Sequence, residues 1–363
     1  MAFVKPQINK TVTTLNKLRI YLRSVKKFGK STLFRDLILE EYGNPEKGLL
    51  VGIGNEIGYT LLDNLNCTHV DTWKDFMELK KWLIQGKVNG EHEIEIVAFD
   101  VIDEIMPIIE KEVCRLSTVA NQKPCDSINK AFGGYGKGQE KVKELLKEYF
   151  SELYKAGFGI FAIAHTKTKN IIEKGFEESE GYMTLTSNLP NTYEGIFGDI
   201  FDVVLTGLID REVVDGKTTS ATRKLYFRGT SYVDAGCRFA KDAVPEYMEF
   251  EQSNNAREFI DILKNGMKDS MSKPISTDQF KKLEEKEKET LIEDAKKAAK
   301  DLEEKDQETE NANIDDLRKE IKSKATTESA KSILMKGIKS AGKSKFTELT
   351  ASELRNILDE LNK

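Results

Sequence analysis

The first 266 residues alternate between two hydrophobic periods. Short apolar runs rich in β-formers, "LRIYL", "GLLVGI", "EIEIVAF", "GFGIFAIA" and "IFDVVLTGLI", predict buried strands. Between most of them the spacing turns helical: "STLFRDLILEEY", "TWKDFMELKKWLI", "VIDEIMPIIEKEVCRL" and "GQEKVKELLKEYFSELYKAG". In the first of these helices Leu33, Leu37 and Ile38 fall on one face. Strands alternating with helices imply right-handed crossovers and a mainly parallel sheet covered on both faces. Past Phe201 the pattern becomes a hairpin, "LTGLIDREVVDGKTTSATRKLYFRG", with Asp215-Gly216 suited to its tight turn. The expected fold class is α/β with an antiparallel extension.

Near Gly266 the chain changes character. No glycine follows until Gly337, and no aromatic lies between Phe280 and Phe346. The stretch "QFKKLEEKEKETLIEDAKKAAKDLEEKDQETE" has few residues to bury and predicts an exposed helix or a disordered linker. Leu283, Leu291, Ile292 and Leu302 give only a weak coiled-coil spacing. Helical spacing resumes in "IDDLRKEI", "SAKSILMKGI" and "TASELRNILDEL", the last opening with a capping box of Thr350 and Glu353. The expected organisation is a tail over 1–16, an α/β domain over 17–266, a charged linker over 267–312 and a small basic helical domain over 313–363.

Composition narrows the chemistry. Among 363 residues 32% are charged, 39% are hydrophobic, and the formal net charge is −5, which excludes polyanion binding by bulk electrostatics and leaves only local patches. Cys67, Cys114, Cys125 and Cys237 have no C-x-x-C spacing, and with only three histidines a multi-histidine metal centre is not expected. The run "FGIFAIA" is too short to span a bilayer, and "MAFVKPQINK" has no signal-peptide core. A cytoplasmic protein without membrane contact is expected.

The chemistry concentrates after the first strand. In "LRIYLRSVKKFGKSTLFRDLI" a strand runs into Gly29-Lys30-Ser31 and then a helix, the layout of a phosphate-binding loop. Gly29 permits close approach, Lys30 can reach β/γ-phosphates and the Ser31 hydroxyl can ligate Mg²⁺. The motif's first glycine is replaced by Ser24, and a fortuitous basic turn is the competing reading. The run "EIEIVAFD" ends in Asp100, as does a strand whose terminal acid holds Mg²⁺ beside the loop. An Asp capping the next helix is the plainer alternative.

These residues, with "GLLVGIGNEIGYTLLDNL", "GGYGKGQEKVKELLKEYFSELYKAGFGIFAIAHTK", "TLTSNLPNTYEGIFGDIFDVVL" and "LYFRGTSYVDAGCRF", resemble phage-encoded RecA-like (AAA-type) nucleotide-binding ATPases, the group that includes single-strand-annealing recombination proteins. The resemblance covers residues 17 to 250, departs at Ser24, and implies a RecA-like P-loop core. It implies ATP and Mg²⁺ as cofactors, with Ser24, Lys27, Phe28, Gly29, Lys30, Ser31, Thr32 and Asp100 around the nucleotide and Ser31 and Asp100 on the metal. It further implies Glu56 as the residue that polarises the attacking water, with Asp103 and Glu104 as runners-up, and His165 as a γ-phosphate sensor. Arg228 or Arg238 is expected to reach a neighbouring subunit's phosphate.

The resemblance also implies single-stranded DNA as a partner, contacted by polar loops after the third and fourth strands. Lys130, Phe132, Tyr135 and Lys137 in one loop, and Lys167 and Lys169 in the other, fit phosphate and base contacts. The implied function is ATP-dependent recombination or strand annealing by a homo-oligomer, ring or filament. A non-hydrolysing scaffold that recruits a single-strand-binding or replication protein through the C-terminal helices is the alternative, and a helicase or helicase loader a third.

Overall fold

A computed structural model describes residues 6, 8–171, 181–214, 217–250 and 254–362 of the chain. It divides into two compact units, residues 1–298 and 299–363. In the first unit the strands are β1 (Arg19–Ser24), β2 (Gly48–Ile53), β3 (Cys67–Val70), β4 (Ile96–Asp100), β5 (Gly159–Ile171), β6 (Tyr182–Ser187), β7 (Val203–Val214), β8 (Lys217–Tyr226), β9 (Gly236–Cys237) and β10 (Tyr247–Glu249). The helices are α1 (Lys30–Tyr42), α2 (Trp73–Asn89), α3 (Ile105–Asn121), α4 (Lys137–Lys155), α5 (Asn191–Ile200) and α6 (Asn255–Asp269). A further helix, α7 (Thr277–Lys324), leads into α8 (Glu328–Ser340) and α9 (Ala351–Leu361).

The sheet order is β10-β8-β7-β1-β5-β4-β2-β3, with β6 paired to β5 and β9 to β7. The pairs β7·β1, β1·β5, β5·β4, β4·β2 and β2·β3 are parallel. The pairs β7·β8, β8·β10, β7·β9 and β5·β6 are antiparallel. Strands β2 and β4 are buried along their whole length, which is why they read as unbroken apolar runs. Strand β3, "CTHV", is short, polar and at the sheet edge, and hydrophobic patterning gives no sign of it. The hairpin of β7 and β8 pairs as its alternation requires. Its expected Asp215-Gly216 turn lies outside the described residues.

Three expectations change. The stretch read as the second DNA loop is a strand over most of its described length: β5 runs past the sheet to residue 171, and residues 166–171 pair with β6. Its threonines and lysines alternate as they do on a two-sided polar arm, a period the polar composition disguised. The N-terminal tail is ordered where it meets the core, with Thr13, Thr14, Leu15 and Asn16 buried. And the charged linker takes the helical of its two expected forms but is not exposed throughout, its first part being packed on the α/β unit through buried Phe280, Leu291 and Ala295. That docking relies on charge pairing as much as on apolar area. Glu287 accepts from the Thr13 amide and hydroxyl at 2.6 and 2.7 Å, Lys17 meets Asp294 at 2.5 Å, and Lys264 joins Glu41 and Glu284 at 2.9 and 3.0 Å.

The second unit has its own core of Ile321, Ile338, Leu349, Leu354 and Ile357. Gly337 sits where a Cβ would lie 2.4 Å from Ile357, so α8 and α9 cross closely there. The capping box of Thr350 and Glu353 is formed. No helix among the described residues is long and apolar enough to cross a membrane.

Candidate nucleotide site

At the carboxyl edge of the parallel strands, Gly207 of β7, Ser24 of β1 and His165 of β5 stand level with one another. The backbone leaves β1 at Ser24, turns with positive φ at Lys27 (59°) and Gly29 (111°), and enters α1 at Lys30. Gly29 caps α1 with no side-chain acceptor, and no acid occupies the first turn. The free amides of that turn therefore make an electropositive helix end suited to an anion.

Lys30 is buried, its Nζ donating to the Val25 and Ser24 carbonyls at 3.2 and 3.4 Å. Burial lowers its pKa, against the pull of Asp100, Asp103 and Glu56. The Ser31 hydroxyl donates to Asp100 Oδ2 at 2.5 Å, so the loop and the end of β4 meet. They meet although β1 and β4, the first and third strands read from the sequence, are not neighbours in the sheet. Strand β5 lies between, inserted late in the chain, and α1 carries Ser31 across the gap. Asp100 is 3% exposed and its carboxyl is pushed up to about 6, first by burial and then by Glu56 and Asp103, against the Ser31 bond and Lys30.

Ser24 is buried and closes β1 in extended backbone, so it needs no glycine freedom. The missing glycine is found on the neighbouring strand: a Cβ on Gly207 would lie 2.7 Å from Ser24 Cβ and 2.8 Å from Phe28. Phe28, expected near the nucleotide, instead points into the core and stacks on Phe250 with centroids 4.8 Å apart. Only its backbone belongs to the loop. Lys27 is exposed and Thr32 half-buried, one residue past Ser31.

Glu56 lies three residues past β2, half-buried, with Oε1 accepting from the Gly58 amide at 3.0 Å. It is close enough to act on Lys30, Asp100 and His165 electrostatically. Glu104 is turned toward Gly54 at the same edge. Asp103 is occupied: it accepts from the His165 amide at 2.9 Å and from Asn188 Nδ2 at 3.1 Å. The His165 ring is held below its usual pKa by burial and by Lys30, and its Nδ1 lies 3.6 Å from Asp103.

The two arginines are elsewhere in their own chain. Arg238 pairs with Asp202 at 3.2 Å and also donates to the Asp199 carbonyl, at the amino end of β7. Arg228 is two residues past Tyr226, which is level with Thr206, and pairs with Asp242 at 3.1 Å. Neither joins the site of its own chain. A buried arginine that patterning passed over, Arg23, is spent on structure: it binds Glu194, Asp234, Thr186 and Thr206 beneath β6 and α5.

The candidate DNA residues fall in two places. Lys130 is exposed and paired with Asp126, Tyr135 is fully exposed with φ 54°, and Lys137 opens α4. Phe132 is half-buried, its amide donating to Ser117 Oγ. Lys167 is exposed on the β5 arm, whereas Lys169 is drawn inward to the Leu189 carbonyl at 2.6 Å and to Asn191. Burial lowers the Lys169 pKa accordingly.

A family model described as an AAA domain matches residues 16–239. The chain belongs to that family. It is thus of the AAA-type nucleotide-binding P-loop ATPase family, and its sheet is the core of that domain. Among solved structures, a KaiC-like protein from the hyperthermophilic archaeon Pyrococcus horikoshii OT3 matches at 13% identity over 66% of this chain and 88% of that one, with a TM-score of 0.37. No curated protein matches.

The AAA domain's edge fits the cation such a nucleotide carries. Ser31 and Asp100 offer hard oxygen donors, and a divalent ion would add to a buried carboxyl crowded by Glu56 and Asp103 the positive charge that Lys30 supplies only in part. Mg²⁺ bound there with the nucleotide would neutralise phosphate charge and leave its remaining positions to water and phosphate oxygens.

Proposed function

We propose that this AAA-domain chain is an ATPase that drives DNA-strand recombination or annealing, binding single-stranded DNA as a homo-oligomer. Lys30 steadies the β/γ-phosphates, Ser31 and Asp100 hold the Mg²⁺, and Glu56 orients the attacking water. His165, neutral at physiological pH, reads the γ-phosphate from the end of β5. Arg228 or Arg238, each on the outer surface of its own chain, is available to a neighbour's phosphates.

One observation carries the reading: β5 continues without interruption from His165, level with the phosphate loop, into the arm that bears Lys167 and Lys169. A change at the γ-phosphate has a continuous strand leading to the exposed Lys167. Lys130, Phe132, Tyr135 and Lys137 supply the second contact with DNA. The phage setting, and with it action in a host cytoplasm, follows from the resemblance in sequence. The C-terminal unit leaves Lys336, Lys339, Lys343 and Lys345 exposed, a surface suited to DNA or to an acidic replication partner.

The deciding measurement is ATP hydrolysis by the full chain with and without single-stranded DNA. Stimulation of several-fold or more, steeply weakened by salt, is the expected result. Turnover that ignores DNA removes the recombination reading, and absence of turnover in both conditions leaves the scaffold alternative in its place.

A further inference from the structure

Asp103 was expected as a reserve base, but its geometry assigns it another task. Both its carboxyl oxygens are engaged at the root of the arm: Oδ2 accepts from the His165 amide at 2.9 Å and Oδ1 from Asn188 Nδ2 at 3.1 Å. Asn188 closes the loop, its own amide donating to the His165 carbonyl at 2.8 Å. His165 is the last residue of β5 in the parallel sheet, and Asn188 is the first residue past β6. One side chain rising from the end of β4 therefore grips both strands of the arm where they leave the core. Asp103 also lies within electrostatic reach of Lys30 and Asp100, the groups that meet the phosphates and the metal.

We infer that Asp103 and Asn188 form a nucleotide-responsive latch, two positioning residues that fix the β5–β6 arm in register with the γ-phosphate. The inference rests on the proposed reading of His165 and names the parts that transmit it. Negative charge arriving beside Lys30 alters the balance that holds Asp103, and the arm follows because that carboxyl joins its two strands where they leave the core. Asn188 is invisible to motif reasoning, being an asparagine in a "TSNLPN" turn.

The chemistry of the pair supplies its test. In Asp103→Leu no acceptor remains, so both the His165 and the Asn188 bonds are lost. Asn188→Asp sets two carboxyls face to face and loses the bond between the two side chains. The double exchange, Asp103→Asn with Asn188→Asp, restores both: the new Asn accepts from the His165 amide and donates to the new Asp. Amide hydrogen exchange of residues 166–170 and 182–187 is followed in the full chain, without ligand and with Mg²⁺ and saturating ATP. In the wild type ATP is expected to change arm exchange by roughly tenfold, the scale of one hydrogen bond to a charged group. Each single variant should lose that response while α6 exchanges as before, and the double variant should regain it. A single variant that keeps the full response, or a double variant no better than the singles, overturns the latch alone. A wild-type arm indifferent to ATP overturns the reading of His165 and the latch with it.

Discussion

Lys30 and Asp100 show how a side chain's surroundings set its chemistry. Burial already penalises the Lys30 charge, which offsets the two carbonyl bonds its removal would break, so the fold loses little and the phosphates lose their buried cation. Lys30→Ala should lower ATP turnover by about a hundredfold or more, the scale for losing one preorganised donor, with the melting temperature nearly unchanged. A steady-state ATPase assay beside a thermal melt checks both. Asp100 is raised from 3.8 to about 6, so between those values the folded state binds more protons than the unfolded one, and stability falls as pH rises through the window. Asp100→Asn should therefore stabilise the nucleotide-free protein at pH 7 by up to about 3 kcal/mol, the equivalent of that displacement, and by almost nothing below pH 3.8. Nucleotide with Mg²⁺ needs the ionised form, so wild-type affinity should drop as pH falls below about 6. Denaturation curves and nucleotide titrations across that range decide the point; a melting temperature for Asp100→Asn equal to wild type at pH 7 would remove the argument.

At the scale of elements, the phosphate loop depends on a strand that does not contain it. Ser24 is tolerated because β7 supplies Gly207 opposite, and the pair exchanges which strand gives up its side chain. Gly207→Ala should destabilise by about 1–3 kcal/mol through overpacking. Adding Ser24→Gly should recover part of that loss, with Phe28 still crowding the new methyl. Chemical denaturation of the single and double variants measures the coupling, and strict additivity would show that the two strands do not share the space. The β5–β6 arm follows the same logic, since its polar alternation made it read as a loop until a partner strand was paired with it.

For the whole molecule, the division at residue 298 means that the first turns of α7 belong to the α/β unit. A chain ending at 298 should melt as the full α/β unit does. One ending at 276 loses Phe280, Leu291 and Ala295 together with the Glu287 bonds to Thr13, and should melt lower by about 2 °C for each kcal/mol lost. Calorimetry of the two truncations separates them; equal melting temperatures would show that the helix merely lies on the surface. By itself the sequence determined the things that local periodicity and short spacing encode: the buried strands, α1 and its apolar face, the Gly29-Lys30-Ser31 turn, and Asp100 at a strand end. Those signals survive without knowledge of neighbours, because a two-residue or 3.6-residue period and a loop's glycine are properties of adjacent residues. Only the tertiary structure decided that β5 parts β1 from β4, that Gly207 makes room for Ser24, that Phe28 turns inward, that Arg228 and Arg238 pair on their own surface, and that Asp103 meets Asn188 across 85 residues. Each of these is a contact between segments far apart in the chain, where packing and charge pairing choose the partner and no local pattern records the choice.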